Sequence, residues 1–241
     1  AVLMKPPDSR NMMHYLKFTP LVLGLLACGC TTPEKSVYIY DPSGPLPGHS
    51  NHGDAFNAGP RQAAYFIGGT GNISFPITTS SPKAQKFFNQ GVGQLHGFWY
   101  LEAERSFRQV LKLDPGNPIA YWGITMANAN NRKRAKEIIG KAVANRDSVS
   151  ERERMWIDAT DASQKESSGK KRKAILLKAY QDISAKFPND LEAKAFLALQ
   201  MYRNVNAKKN YATIEKLISN ILSKNPQHPC HHYRIHLWDY K

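Results

Sequence analysis

The residues of this chain best suited to binding a metal ion lie close to its C-terminus. Half of the eight histidines fall within nine residues, and a cysteine lies among them. On a helix, His232 and His236 would share one face at a common metal-ligand spacing, and imidazole suits Zn or Cu. No glutamate separates them, so the metalloprotease pattern is absent. The candidate ligands for Zn or Cu are His228, Cys230, His231, His232 and His236.

The same histidines also have a structural interpretation. Pro229 interrupts the segment, and in the register of the preceding helices His232 and His236 fall where helix-packing residues belong. The sequence leaves both interpretations open, a metal site or histidines that pack helices or line an interface. His49 and His52 form a shorter fragment in a polar turn. We expect them to be solvated, because a metal site normally needs three or four ligands.

No arrangement of nucleophile, base and orienting group is evident elsewhere. Ser74 has no nucleophile-elbow motif around it, and Cys230 is close to histidines only in sequence. The carboxylates that we expect to be solvated on charged helix faces are Glu102, Glu104, Glu151 and Glu153. We therefore predict that the chain is not an enzyme and that it uses no cofactor.

The charge of the chain is strongly positive, with 33 Lys and Arg against 19 Asp and Glu and a net charge of +14. This excess predicts attraction to an anionic membrane surface, an acidic partner or nucleic acid. Basic runs occur at 132–134 and 170–173. A nucleic-acid binder would also need aromatic residues for stacking beside the charge. We predict that nucleic acid is not a partner, since the N-terminus described below indicates export.

The elements that position these residues are helices. Phe88, Val92 and Leu95 recur at three- and four-residue steps, as do Ala103 and Phe107, so 83–118 is predicted to be an antiparallel helical hairpin. The break between its helices, at 96–98, is short, and the Asp-Pro-Gly at 114–116 ends the second helix.

Further hairpins follow with irregular spacing. A large residue recurs in the second helix of each unit, with steps of 32, 41 and 38 residues, at Phe107, Ile139, Tyr180 and Ile218. A repeat of this length is typical of an α-solenoid, in which each hairpin buries its apolar face against its neighbours. We predict an all-α solenoid over 83–241.

Five motifs resemble those of exported, lipid-anchored bacterial tetratricopeptide-repeat proteins, and the resemblance covers Gly48 to the end. They are Phe88-Asn-Gln-Gly91, Leu95-His-Gly-Phe98, Glu102-Ala-Glu-Arg-Ser-Phe107, Leu113-Asp-Pro115 and Ala120-Tyr-Trp-Gly123. The segment His228–His236 is similar to part of such proteins too. Gln90 and Gln94 depart from the pattern, which prefers Leu and Tyr there.

The resemblance implies a tetratricopeptide fold and a scaffold function, with a concave face lined by the first helix of each hairpin. The residues that it places in a groove for a protein or peptide partner are Phe88, Asn89, Val92, Trp122, Met126, Phe196, Leu199 and Tyr202. For any one apolar member, packing within the solenoid is the better interpretation. Asn89 and Tyr202 are the better candidates for partner binding, because their polar ends need hydrogen bonds.

The first thirty residues are typical of a bacterial lipoprotein signal peptide. A short apolar run ends in Leu-Leu-Ala-Cys28, so Cys28 is the predicted lipidation site, and Cys30 is a second candidate. An ordinary signal peptide is the alternative. Residues 31–82 are rich in Pro and Gly and are predicted to form a tether followed by an irregular cap, with an extended stretch at 72–77. The protein is thus predicted to be anchored in the cell envelope.

The last residues resemble the first helix of a fifth hairpin. Ile235, Leu237, Trp238 and Tyr240 lie close together, so we predict that the array continues past residue 241 and that this end associates with other molecules. The function predicted is a non-enzymatic envelope scaffold that binds a protein or peptide. The alternative is a metal- or cofactor-binding envelope protein that uses 228–236.

Overall fold

The computed structural model describes residues 63–204 and 207–239, without the side chains of 207–209. The signal peptide with Cys28, the predicted tether, the His49–His52 fragment and Tyr240 lie outside these ranges. The helices in the described part are α1 (Pro82–His96), α2 (Tyr100–Leu113), α3 (Pro118–Ala127), α4 (Arg132–Ala144), α5 (Glu151–Lys165), α6 (Gly169–Lys186), α7 (Leu191–Asn204), α8 (Ala207–Lys224) and α9 (His231–Trp238). These ranges contain no strand, so the all-α prediction is confirmed for them.

Local sequence signals fix several helix ends. Ser81 caps α1 through a hydrogen bond from the Ala84 N–H, and proline occupies the first turn. Ser150 and Glu153 form a reciprocal capping box at the start of α5. After α2, Gly116 adopts a φ of 82°, which a residue without a Cβ does at little cost. No helix in the described ranges is long and apolar enough to cross a membrane.

Each helix packs mainly against the helices before and after it, as an α-solenoid requires. All four recurring large residues are buried, namely Phe107, Ile139, Tyr180 and Ile218. Around Phe107 the packing is close, because a Cβ built on Gly91 or Gly123 would lie 2.7 or 2.5 Å from its ring. Small residues at these two positions therefore allow α1 and α3 to approach α2.

The odd-numbered helices also meet one another: α1 contacts α3, α3 contacts α5, and Trp156 of α5 lies 5.3 Å from Phe196 of α7. We call their shared side the inner face (α1, α3, α5 and α7). Aromatic rings fill it: Trp122 lies 6.3 Å from Phe88, 5.4 Å from Trp156 and 6.0 Å from Phe196. All four rings are buried. This aromatic cluster forms the centre of the core.

Two carboxylates have a different environment from the one that the sequence suggests. The expectation that Glu104 and Glu153 are solvated is wrong, since both are buried. Glu104 pairs with Arg134 of α4 and accepts hydrogen bonds from Arg108 at 2.8 Å and Asn128 at 2.8 Å. Burial is tolerated because these donors, two of them cationic, replace the water that the carboxylate loses. Arg134, part of the first basic run, is therefore a structural residue.

Candidate functional site

The described part of the predicted cap, residues 63–81, lies on the inner face; we call it the docked segment. Its backbone is extended but pairs with no strand in the described ranges. Side-chain amides of α1 take the place of a strand. Asn89 Oδ1 accepts from the Phe75 N–H at 3.2 Å, while Gln85 donates to the Phe75 carbonyl at 2.8 Å and accepts from the Ile77 N–H at 2.9 Å.

Gln90, the residue after Asn89 in α1, repeats this arrangement. Its amide accepts from the Ile67 N–H at 3.0 Å and donates to the Tyr65 carbonyl at 2.9 Å. It also donates to Ser106 Oγ at 3.0 Å, which joins the docked segment to α2. The departure of Gln90 from the tetratricopeptide pattern thus has a physical reason, because a leucine could satisfy neither backbone group.

Contacts beyond α1 hold the rest of the docked segment. The Thr78 N–H and hydroxyl donate to the two oxygens of Glu153 at 2.7 and 2.5 Å. Asn72 donates its N–H to the Gln227 carbonyl at 3.1 Å, and Asn225 donates its amide to the Asn72 carbonyl at 2.6 Å. The docked segment therefore connects α1 with α5 and with the loop before α9.

Phe75 is the apolar anchor of the docked segment. Its side chain is fully buried, with ring centroids 5.1 Å from Phe88, 5.4 Å from Trp122 and 5.5 Å from Trp156. The Arg152 guanidinium lies 3.9 Å from the Phe75 ring centroid, a cation–π contact. Ile73 and Phe75 are buried and Ser74 is exposed, so the alternation predicted for 72–77 is present.

The residues predicted to line a partner groove are mostly covered. Asn89 holds the docked segment, and Met126, Asn89 and Tyr202 are half-buried. The buried members are Phe88, Val92, Trp122, Phe196 and Leu199. Partner binding by these residues stays a prediction. The structure places an extended segment of the same chain against two of them, Phe88 and Asn89 of α1.

A pocket of about 540 Å³ adjoins the docked segment. It is lined by Ser74 and Pro76 on one side and by the α6–α7 connection on the other, with Arg152 and Lys186 contributing positive charge. Arg152 donates to Asp190 at 2.7 Å, and Lys186 pairs with Glu151. The pocket is thus a mixed apolar and charged cavity that opens beside an extended backbone.

A second cluster, fully buried, joins the two ends of the described repeats. His96 ends α1, Glu192 lies in the first turn of α7, and His228 precedes α9. His96 Nε2 lies 2.7 Å from Glu192 Oε2, and His228 Nε2 lies 3.2 Å from Glu192 Oε1. His96 Nδ1 bonds the Tyr233 hydroxyl. The three ligand-type atoms lie within 4.8 Å of one another, as in a metal site.

The charge state of this cluster follows from burial and hydrogen bonding. Burial alone would raise the pKa of Glu192, but hydrogen bonds from His228 and His96 outweigh it and hold that pKa at about 2. Burial lowers the pKa of His96 below its usual value of 6.5, despite the hydrogen bond to Glu192. The cluster at neutral pH is therefore one carboxylate with a neutral His96.

The tautomer of His228 argues against a metal ion at this cluster. Its Nδ1 accepts a hydrogen bond from the Cys230 backbone N–H at 3.0 Å, so the proton of the neutral ring is on Nε2, which faces Glu192. Metal-ligating histidines instead donate from the nitrogen that does not bind the metal. The cluster of His96, Glu192 and His228 is thus a hydrogen-bonded network that joins α1, α7 and the loop before α9.

The remaining candidate ligands occupy different environments. Burial raises the pKa of the Cys230 thiol to about 12, which keeps it protonated and makes it a poor ligand and nucleophile. His231 is exposed and donates from Nε2 to the Pro226 carbonyl at 2.9 Å. His232 and His236 lie together, with their Nε2 atoms 2.9 Å apart. Of the five predicted metal ligands, only His232 and His236 have ring nitrogens in contact with each other.

No protein-family profile, curated protein or solved structure matches this chain. The sites above therefore rest on this chain's own residues. Among the contributors that sequence reasoning missed are His96, Glu192 and Gln85. A signal was present for Gln85, because Gln85 and Asn89 lie four residues apart and place two amides on one helix face. None was available for the pairing of His96 with Glu192, which are 96 residues apart.

Proposed function

We propose that this chain is a tetratricopeptide-type scaffold of the bacterial cell envelope, which binds a partner protein beside or in place of its own docked segment. The observation that carries the proposal is the row of amide side chains on α1. Gln85, Asn89 and Gln90 hydrogen-bond both the N–H and the carbonyl groups of an extended polypeptide. Backbone recognition of this kind is largely independent of the bound sequence, so a partner strand can use the same groups.

The tetratricopeptide assignment is supported by packing. The residues at the small positions, Gly91 and Gly123, lie against the ring of Phe107, and buried large residues recur at the second helix of each hairpin. Close packing around Phe107 supports its place as the recurring large residue of the first hairpin. The irregular spacing of 32, 41 and 38 residues is accommodated by helices of 10 to 18 residues.

The partner's binding position is proposed from the pocket beside Pro76. It is large enough for one or two side chains and it adjoins the extended backbone, while Arg152 and Lys186 of its lining already pair with Asp190 and Glu151. A net charge of +14 favours an acidic partner over a basic one. The envelope location and the lipid anchor at Cys28 are proposed from the sequence alone. The absence of a nucleophile motif supports a role without catalysis.

Site-specific photo-crosslinking in living bacteria tests the proposal. A photoreactive amino acid is placed at Ser74, which is exposed and lines the pocket, and in a second strain at the exposed Gly140 of α4, where an added Cβ would contact nothing within 4 Å. We expect discrete protein adducts from position 74 that are absent from position 140. Identical adduct patterns, or none from position 74, would contradict partner binding at this face.

A further inference from the structure

The half-buried histidine pair of α9 has the features of a metal-ion site. His232 and His236 lie four residues apart, on the same side of the helix, with their Nε2 atoms separated by 2.9 Å. The arrangement differs from the cluster of His96, Glu192 and His228 in two respects, which are its tautomers and its access to solvent. Both decide whether a metal ion can bind.

The second nitrogen of each ring already has a partner. His232 Nδ1 lies 2.8 Å from the His96 backbone carbonyl, which can only accept, so this nitrogen carries the proton. His236 Nδ1 lies 3.4 Å from the Asp239 carboxylate, which is likewise an acceptor. Carbonyl and carboxylate partners of this kind fix the tautomer of metal-ligating histidines. The Nε2 atom of His232 is therefore left with a lone pair, and it accepts the hydrogen bond that joins it to His236 Nε2.

A metal ion that binds both Nε2 atoms takes the place of the proton in this hydrogen bond, and His236 then carries its proton on Nδ1, beside the Asp239 carboxylate. A metal–nitrogen bond of about 2.0–2.1 Å places two ligands on one ion about 2.9 Å apart when they subtend a right angle, and about 3.3 Å apart at the tetrahedral angle. The observed separation matches the right angle. Square-planar or tetragonal geometry with nitrogen ligands is typical of Cu(II) and Ni(II), and Cu(II) binds more tightly than the other divalent first-row ions.

Phe98 holds both imidazoles in place. Its ring centroid lies 4.5 Å from that of His232 and 5.9 Å from that of His236. Phe98 adopts a φ of 60°, a left-handed conformation that is strained for a bulky residue. Strained residues are kept where the surrounding structure fixes them, frequently at binding sites. The turn between α1 and α2, which is distant from α9 in the sequence, thus holds the two histidine rings in position.

We propose that His232 and His236 bind one Cu(II) ion through their Nε2 atoms, with the His96 carbonyl and Asp239 orienting the two rings. Both imidazoles are partly exposed, so an ion can reach them from solvent and complete its coordination with oxygen ligands from water or from a bound molecule. Cys230, His228 and His231 take no part, for the reasons given above. The site is independent of the partner-binding function of the inner face.

Copper titration of the full chain tests the proposal. The background carries His14→Ala, His49→Ala and His52→Ala, which leaves five histidines. Cu(II) is added against a competing chelator, and electron paramagnetic resonance records the nitrogen couplings. We expect one Cu(II) per chain with two imidazole nitrogens. His232→Gln and His236→Gln should each remove that signal, and Asp239→Asn should weaken binding about tenfold or more.

His231→Gln is the matched control, because it removes a neighbouring exposed histidine that lies outside the pair. It should bind Cu(II) as the parent does. Circular dichroism verifies the fold of each variant, and if His232→Gln disturbs it, the half-exposed His236→Gln decides alone. Unchanged copper binding in His236→Gln, an equal loss in His231→Gln, or no binding by the parent would each overturn the proposal.

Discussion

Substitution of Gly93 by alanine tests the docking of residues 63–81 on the inner face. A Cβ on Gly93 would lie 2.3 Å from the Thr70 backbone oxygen, a distance that real structures do not allow, and the obstacle is backbone rather than a flexible side-chain end. Gly140 in α4 provides the matched control, because a Cβ there contacts nothing within 4 Å. Both glycines are helical, so the gain in helix propensity is similar and the two variants differ in the contact with Thr70.

The expected difference in the free energy of unfolding between the two variants follows from two opposing effects. Replacing a helical glycine by alanine stabilises by roughly 1 kcal/mol, which Gly140→Ala should show almost in full. In Gly93→Ala the same gain is opposed by overpacking, which typically costs about 1–3 kcal/mol. If the docked segment detached from α1, the contacts of Phe75 would also be lost and the free energy of unfolding would fall further. We therefore expect the free energy of unfolding of Gly93→Ala to fall about 2 kcal/mol or more below that of Gly140→Ala.

Urea unfolding followed by tryptophan fluorescence measures this difference, since Trp122 and Trp156 lie within 5.5 Å of Phe75. Hydrogen exchange gives a local measurement in the same variants. The N–H groups of Phe75 and Ile77, which donate to Asn89 and Gln85, should exchange faster in Gly93→Ala. Equal stability of the two variants, with the protection of both amides retained, would show that the segment does not press on α1 as described.

Four further predictions concern other parts of the chain. Phe107→Ala should lower the free energy of unfolding by about 3–5 kcal/mol, and a melting temperature near that of the parent would contradict its role as the buried anchor. Cys28→Ala should abolish fatty-acid labelling and membrane partitioning in a bacterial host, whereas persistent labelling would move the site to Cys30. Stability should fall on acidification in two phases. Below pH 6.5 it falls because burial lowers the pKa of His96 in the folded state, so protonation of this histidine favours the unfolded chain. Between pH 4.5 and 2 it falls by roughly 3 kcal/mol as Glu192 takes up a proton, and this second phase should be missing from the pH dependence of unfolding in Glu192→Gln. Sedimentation should show self-association that Ile235→Lys reduces, because Ile235 is 60% exposed on α9, and a monomer at all concentrations would refute association through this helix.

The helices were predictable from the sequence because their signals are local. Three- and four-residue spacing of apolar residues, proline and glycine at helix ends, and the recurrence that begins at Phe107 all act within one hairpin, and hairpins of a solenoid pack mainly against their neighbours. The docked segment was not predictable in this way. Its backbone hydrogen-bonds to side chains up to 153 residues away, and no pattern of spacing specifies Glu153 as the acceptor for Thr78.

The histidine-rich stretch shows why residue type and spacing alone cannot separate a metal site from a hydrogen-bonded network. His228 and His232 are four residues apart and chemically identical, yet the Cys230 N–H donates to one ring and the His96 carbonyl accepts from the other. These two backbone groups place the ring protons on opposite nitrogens. The protonated Nε2 of His228 serves the buried Glu192, while the Nε2 of His232 keeps a lone pair near solvent. Tertiary contacts that fix a single proton therefore decide which of the clustered histidines can bind a metal ion.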